Sequence, residues 1–137
     1  MDSQQLTAQA IKAREYAYAP YSHFAVGAAL EDENGKLYLG CNIESASYGP
    51  TNCAERTAFF KAVSEGVRKF KRIAVVGGKE GKDVETFCPP CGVCRQVMME
   101  FCDPDNFEVV LADGKGTFKE FKLKELLPCG FGPANLQ

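Results

Sequence analysis

The sequence predicts an α/β fold. Segments of helical periodicity alternate with short apolar runs along the chain. Two of those runs, Ile73-Ala74-Val75-Val76 and Val109-Val110-Leu111, are continuously apolar. That is the pattern of strands buried on both faces rather than one. A third observation is Asn34-Gly35 between two strand-like stretches, a strong hairpin signal. Strands joined through helices are expected to run parallel, with one N-terminal hairpin.

The elements follow in order. Leu6, Ala10, Ala13 and Ala17 recur at helical spacing, with Ile11 and Tyr18 widening the stripe. Ser3 can cap this helix over residues 3–18, and Ala19-Pro20-Tyr21-Ser22 ends it. Residues 24–30 read as a strand whose small side chains suggest close packing, and residues 36–41 as its hairpin partner. A polar loop follows to residue 52. Residues 53–65 form a helix with Ala54, Ala58, Phe59, Ala62 and Val63 on one face, ended by Gly66. Residues 72–77 are a central strand, 79–87 a charged loop, and Pro90 opens a helix over 91–101. Residues 108–111 form a buried strand and 117–121 an edge strand. A short helix over 123–127 precedes a C-terminal tail.

The length of 137 residues is that of one domain, expected to span residues 1–137. Apolar residues make up 45%, enough for a core and against a disordered chain. Lys and Arg total 16 against 18 Asp and Glu, a formal charge of -2. A chain without basic excess is not expected to bind nucleic acid. No apolar run approaches the roughly 18 residues of a membrane span, so no membrane partner is expected. Met1-Asp2-Ser3-Gln4-Gln5 is polar and lacks the order of a signal peptide. A cytoplasmic location is therefore expected.

The chain has seven cysteines, about 5 per cent and below a disulfide scaffold. In a reducing compartment they serve metals or catalysis more often than bridges. Two predicted helices begin with cysteine: Asn52-Cys53-Ala54-Glu55 and Pro90-Cys91-Gly92-Val93-Cys94. Both follow loops that leave strands, so both N-termini can meet at one sheet edge, where open α/β sheets bind ligands. A helix N-terminus lowers a thiol pKa and so favours the thiolate that zinc needs. Cys53, Cys91 and Cys94 make three ligands without an obvious fourth, the pattern of a catalytic zinc with a place for water. Zinc lowers the water pKa from 15.7 to about 7, a difference of roughly 12 kcal/mol. Glu55 would shuttle the proton. Other readings of the same residues are a structural zinc half-site, a redox dithiol, and Glu55 as a capping partner of Asn52.

These residues resemble the zinc-dependent cytidine deaminases of the short, homotetrameric type, with the three-cysteine ligand set. The zinc deaminases carry a His-x-Glu and Pro-Cys-x-x-Cys signature, and Cys53-Ala54-Glu55 stands here for the first part. The segment from Tyr21 to Ala29 resembles the family's strand motif. Cys41-Asn42-Ile43-Glu44-Ser45-Ala46-Ser47-Tyr48 resembles its ribose-binding segment, and Leu126-Leu127-Pro128-Cys129-Gly130-Phe131 its C-terminal signature. The resemblance covers nearly the whole chain.

It implies a three-layer α/β/α fold with a mixed five-stranded sheet. It implies hydrolytic deamination of cytidine and 2′-deoxycytidine, in pyrimidine salvage, by zinc-activated water with Glu55 as proton shuttle. One zinc per chain would be held by Cys53, Cys91 and Cys94. The Ala54 N–H would bind the base, Phe24 would lie against it, and Asn42 and Glu44 would hold the ribose 3′-hydroxyl. Phe131 from a neighbouring subunit would close the pocket of a homotetramer with shared active sites. Arg56 would hydrogen-bond the ligand thiolates and offset their excess charge. Taken singly, Phe24 reads as core, Asn42, Glu44 and Arg56 as solvated, and Phe131 as an exposed aromatic. His23, Cys41, Cys102 and Cys129 are expected to be bystanders, and Cys88 is the competing ligand. The alternative functions are a blasticidin S-type deaminase, a polynucleotide deaminase, and a non-catalytic zinc module with Cys88 as fourth ligand.

Overall fold

The computed structural model describes residues 1–137. Its centre is a mixed five-stranded sheet. In chain order the strands are β1 (Phe24–Asp32), β2 (Leu37–Cys41), β3 (Phe70–Lys79), β4 (Glu108–Ala112) and β5 (Phe118–Lys122). The helices are α1 (Ser3–Arg14), α2 (Ala54–Ser64), α3 (Gly92–Phe101) and α4 (Leu123–Leu126). The strand order is β2-β1-β3-β4-β5. β3 and β4, joined through α3, pair in parallel, and every other neighbouring pair is antiparallel. β2 and β3, joined through α2, also point the same way, with β1 between them. β3 is central and β5 is an edge, as the sequence predicts.

Side chains alternate between two cores because strand residues alternate in direction. Ala28, Leu30, Ile73, Val75, Val109 and Leu111 face α2 and α3, and pack with Ala58, Phe59 and Met98. Ala29, Ala74, Val76, Val110 and Ala112 face α1, and pack with Leu6 and Ala10. The result is three layers, α/β/α.

Three local details differ from the sequence reading. Asp2, not Ser3, caps α1: its carboxylate accepts from the Gln5 N–H at 2.8 Å, and Gln5 Oε1 accepts from the Asp2 N–H at 2.9 Å. This reciprocal pair satisfies two donors at once. The helix stops at Arg14 rather than residue 18. The backbone of Tyr18 is claimed instead by the 42–44 segment, through Tyr18 N–H to Asn42 O and Glu44 N–H to Tyr18 O, both 2.9 Å. The tail is partly ordered as a 3-10 turn over Pro133–Leu136.

Gly40 on β2 decides how close α2 can lie. A Cβ there would sit 2.3 Å from Ala54 O and 2.6 Å from Ala58 N. Without one, the first turns of α2 rest on the sheet itself, and that places Cys53 and Glu55.

Candidate active site at the cysteine-capped helices

Cys53 is the N-cap of α2 and Cys91 the N-cap of α3, both in extended backbone. The Cys91 sulfur accepts from the Cys94 N–H at 3.4 Å. The sulfurs of Cys53 and Cys91 are 3.8 Å apart, and all three sulfurs lie within 4.8 Å of one another. A disulfide would need about 2.05 Å between sulfurs. Tetrahedral zinc with Zn–S near 2.3 Å sets its sulfurs about 3.8 Å apart. The donor set therefore fits the metal.

The surrounding charges agree. Arg56 Nη2 donates to Cys53 Sγ at 3.2 Å, and Arg56 Nε is buried with no partner. A guanidinium in that place is costly unless the sulfurs it faces are anionic. Cys53 is held down at about 5: the Cys94 thiol donates to it, and Arg56 and Cys91 add to the effect against the burial that opposes it. Cys94 is pushed up by the same bond to Cys53 and by burial. Metal binding at these three thiols would release their protons.

Glu55 is only 4% exposed. Burial raises its carboxyl to about 7, and the Cys53 charge adds to the push. No side chain caps α2, and the Ala54 N–H has no side-chain partner.

Cys88 lies close by but outside the sulfur cluster. Its sulfur fills the space over Gly77, where a Cβ would be 2.7 Å from that sulfur and 3.1 Å from the Phe24 ring. Burial pushes the Cys88 thiol up to about 11, with Glu55, Cys53 and Cys91 adding to the rise. It is a protonated neighbour of the site. Cys102 is buried, Cys41 half-buried and Cys129 exposed. His23 faces Glu80 at 3.9 Å on the surface.

The 42–44 segment reaches the same end of the sheet. Asn42 Nδ2 donates to Phe24 O at 2.8 Å, and Oδ1 accepts from the Val26 N–H at 2.9 Å. Glu44 Oε1 accepts from the Tyr21 and Ser22 N–H groups at 3.0 and 3.1 Å, and Oε2 from the Ser22 hydroxyl. The Ser22 hydroxyl bond leads in lowering the Glu44 carboxyl below its usual range. Phe24 is 42% exposed. Phe131 lies in the tail and is 58% exposed. Asn52, a candidate cap in the sequence, instead donates to the Thr57 hydroxyl at 3.2 Å. Cys53 takes the cap because extended backbone ends there.

Sequence reasoning missed Ser22, Arg95 and Gln96 as supports. Ser22 stands inside the Tyr21–Ala29 motif, which was the available signal. The two α3 side chains act across the fold and leave no local pattern.

Two helices that begin at cysteines, brought together beside a buried glutamate, form a site able to hold a metal ion. Comparison with known proteins gives the family. The model of the cytidine and deoxycytidylate deaminase zinc-binding region matches residues 1–110. The cytidine deaminase of Sporosarcina psychrophila is 53% identical over 136 residues, covering 99% of this chain and 96% of the relative. That of Halalkalibacterium halodurans is 53% identical over 131 residues, covering 96% and 95%. The crystal structure of cytidine deaminase from Burkholderia pseudomallei superposes with a TM-score of 0.87 at 48% identity, covering 96% of this chain and 100% of that one. The chain belongs to the zinc-binding cytidine and deoxycytidylate deaminase family, and it is an enzyme of that family.

Proposed function

We propose that this chain converts cytidine and 2′-deoxycytidine to uridine and 2′-deoxyuridine by hydrolysis, releasing ammonia. The observation that carries this reading is Glu55, buried two residues after a thiolate N-cap and set among the sulfurs of two helices. Zinc held by Cys53, Cys91 and Cys94 would supply a Lewis acid that brings a water pKa from 15.7 to about 7. Glu55, a buried carboxyl near Cys53, can accept and return a proton beside that water. It takes a proton from the attacking water and delivers it to N3 of the pyrimidine, then takes the remaining hydroxyl proton and delivers it to the amino group, which leaves as ammonia.

The other residues bind and orient. The free Ala54 N–H meets the base. The Phe24 ring, with its exposed face, packs against the pyrimidine. Asn42 spends one N–H and one lone pair on β1 and keeps one of each for the ribose 3′-hydroxyl. Glu44 is fixed by three donors and accepts from the same hydroxyl. A polynucleotide esterifies that oxygen, so this contact disfavours an internal nucleotide of a strand.

Phe131 completes the pocket of a neighbouring copy in a homotetramer with shared active sites. Its exposed ring supports this. A cavity of about 630 Å³ on the β2 edge, lined by Tyr16, Leu39 and Cys41 among others, offers a surface for a second copy. One domain over 1–137 holds each zinc set. Seven free cysteines suit the reducing cytoplasm, and no helix is long and apolar enough to cross a membrane.

The test is turnover of cytidine, followed by the ultraviolet change together with ammonia. Absence of turnover by protein carrying one zinc per chain overturns the reading. For shared sites, Glu55→Gln copies are mixed with Phe131→Ala copies after dissociation. Recovered activity is expected, and none means that each chain closes its own pocket.

A further inference from the structure

Helix α3 presents two of the three thiols at its start and holds the C-terminal segment along its length. The ligand turn has little packing of its own: Cys91, Gly92 and Val93 are exposed, Val93 by 57%. Arg95 compensates. Its backbone N–H donates to Cys91 O at 3.0 Å, and its Nε donates to Pro90 O at 2.8 Å. Its Nη1 reaches across to Leu126 O at 2.6 Å. That carbonyl is the last of α4 and has no partner within its own helix. One planar guanidinium thus joins the peptide before Cys91 to the root of the tail, a two-carbonyl reach that suits the fork of arginine. One residue on, Gln96 Nε2 donates to Phe131 O at 2.7 Å, and Met99 packs against Gly132. The backbone at Phe131 is therefore pinned to α3 while the residue stays exposed.

We propose that Arg95 is a positioning residue that braces the Cys91–Cys94 turn against the C-terminal segment, and that Gln96 sets the place from which Phe131 projects. Zinc retention and pocket closure are then tied through one helix. The Gln96 half rests on the proposed role of Phe131; the Arg95 half does not.

The test uses the zinc-loaded enzyme and two readouts, zinc release to a chromophoric chelator and KM for cytidine. Arg95→Met is expected to release zinc about tenfold faster, equal to about 1.4 kcal/mol, and to raise KM. Arg95→Lys recovers part of both, because an ammonium can still reach one carbonyl. Gln96→Met raises KM and leaves zinc release unchanged. Native zinc release in Arg95→Met overturns the brace whatever its thermal stability. If that variant does not fold, Arg95→Lys decides, and release as slow as in the parent chain overturns the proposal. Phe131→Ala separates the two readings. An unchanged KM there removes the role of Phe131 and with it the Gln96 half, while zinc release in Arg95→Met still decides the brace.

Discussion

Arg56 Nη2 donates to the sulfur of Cys53 at 3.2 Å, so a cation from the first turn of α2 meets the sulfur of the residue that precedes the same helix. Three thiolates on a zinc dication leave a formal excess of one negative charge, and a more anionic site is a weaker Lewis acid. Arg56 would offset that charge. Hydrogen bonds to charged groups contribute about 1.5–3 kcal/mol. Arg56→Gln should therefore weaken zinc binding by about ten- to a hundredfold and lower kcat. Zinc affinity by competition with a chelator checks this, and native affinity would rule out the charge-balancing role.

Glu55→Gln keeps the shape of the side chain and removes its proton chemistry. The variant should retain its zinc and lose activity by about 10²- to 10⁴-fold. Metal content and kcat/KM measured on one sample separate the outcomes. Loss of zinc would mean that Glu55 supports the site structurally.

Cys88 distinguishes a three-thiol site from a four-thiol one. Its sulfur stands over Gly77 and outside the ligand cluster. Cys88→Ala should keep one zinc per chain, whereas Cys91→Ala should lose it. Equal loss in both variants would favour a closed, four-ligand zinc module.

Glu44 yields a pH dependence. Its folded pKa is depressed by the bond from the Ser22 hydroxyl and by the two backbone donors, against a burial that opposes them. A depressed carboxyl stabilises the fold above its unfolded pKa of about 4.3, and that contribution is lost as pH falls through the lower folded value. The parent chain should therefore exceed Glu44→Gln in stability at pH 7, and the gap should close below about pH 4. Urea unfolding of both at several pH values checks this; a gap independent of pH contradicts it.

Much of the fold was legible because its signals are local. Ile73-Ala74-Val75-Val76 is apolar throughout, and only a strand covered on both faces needs that. Cys53 and Cys91 announce themselves by standing at helix starts. The termination of α1 was not legible, because Ala17 and Tyr18 keep the helical pattern. The Tyr18 backbone is taken by Asn42 and Glu44 from a distant loop, and these long-range hydrogen bonds outweigh a weak helical preference. Asp2 and Ser3 can both cap α1, and only the reciprocal bond between Asp2 and Gln5 separates them.

The sequence by itself determined the chemistry: which side chains can be thiolates, which carboxyl can shuttle a proton, and which segments are helix or strand. These depend on residue type and near spacing. The tertiary structure decided the arrangement. It brought Cys53 within 3.8 Å of Cys91 across 38 residues, left Cys88 outside the cluster, and buried Glu55 deeply enough to raise its carboxyl. It also ran Arg95 between Pro90 and Leu126. Distance and burial arise only when the sheet sets two helix N-termini side by side, and glycine at position 40 lets α2 come close enough for that to happen.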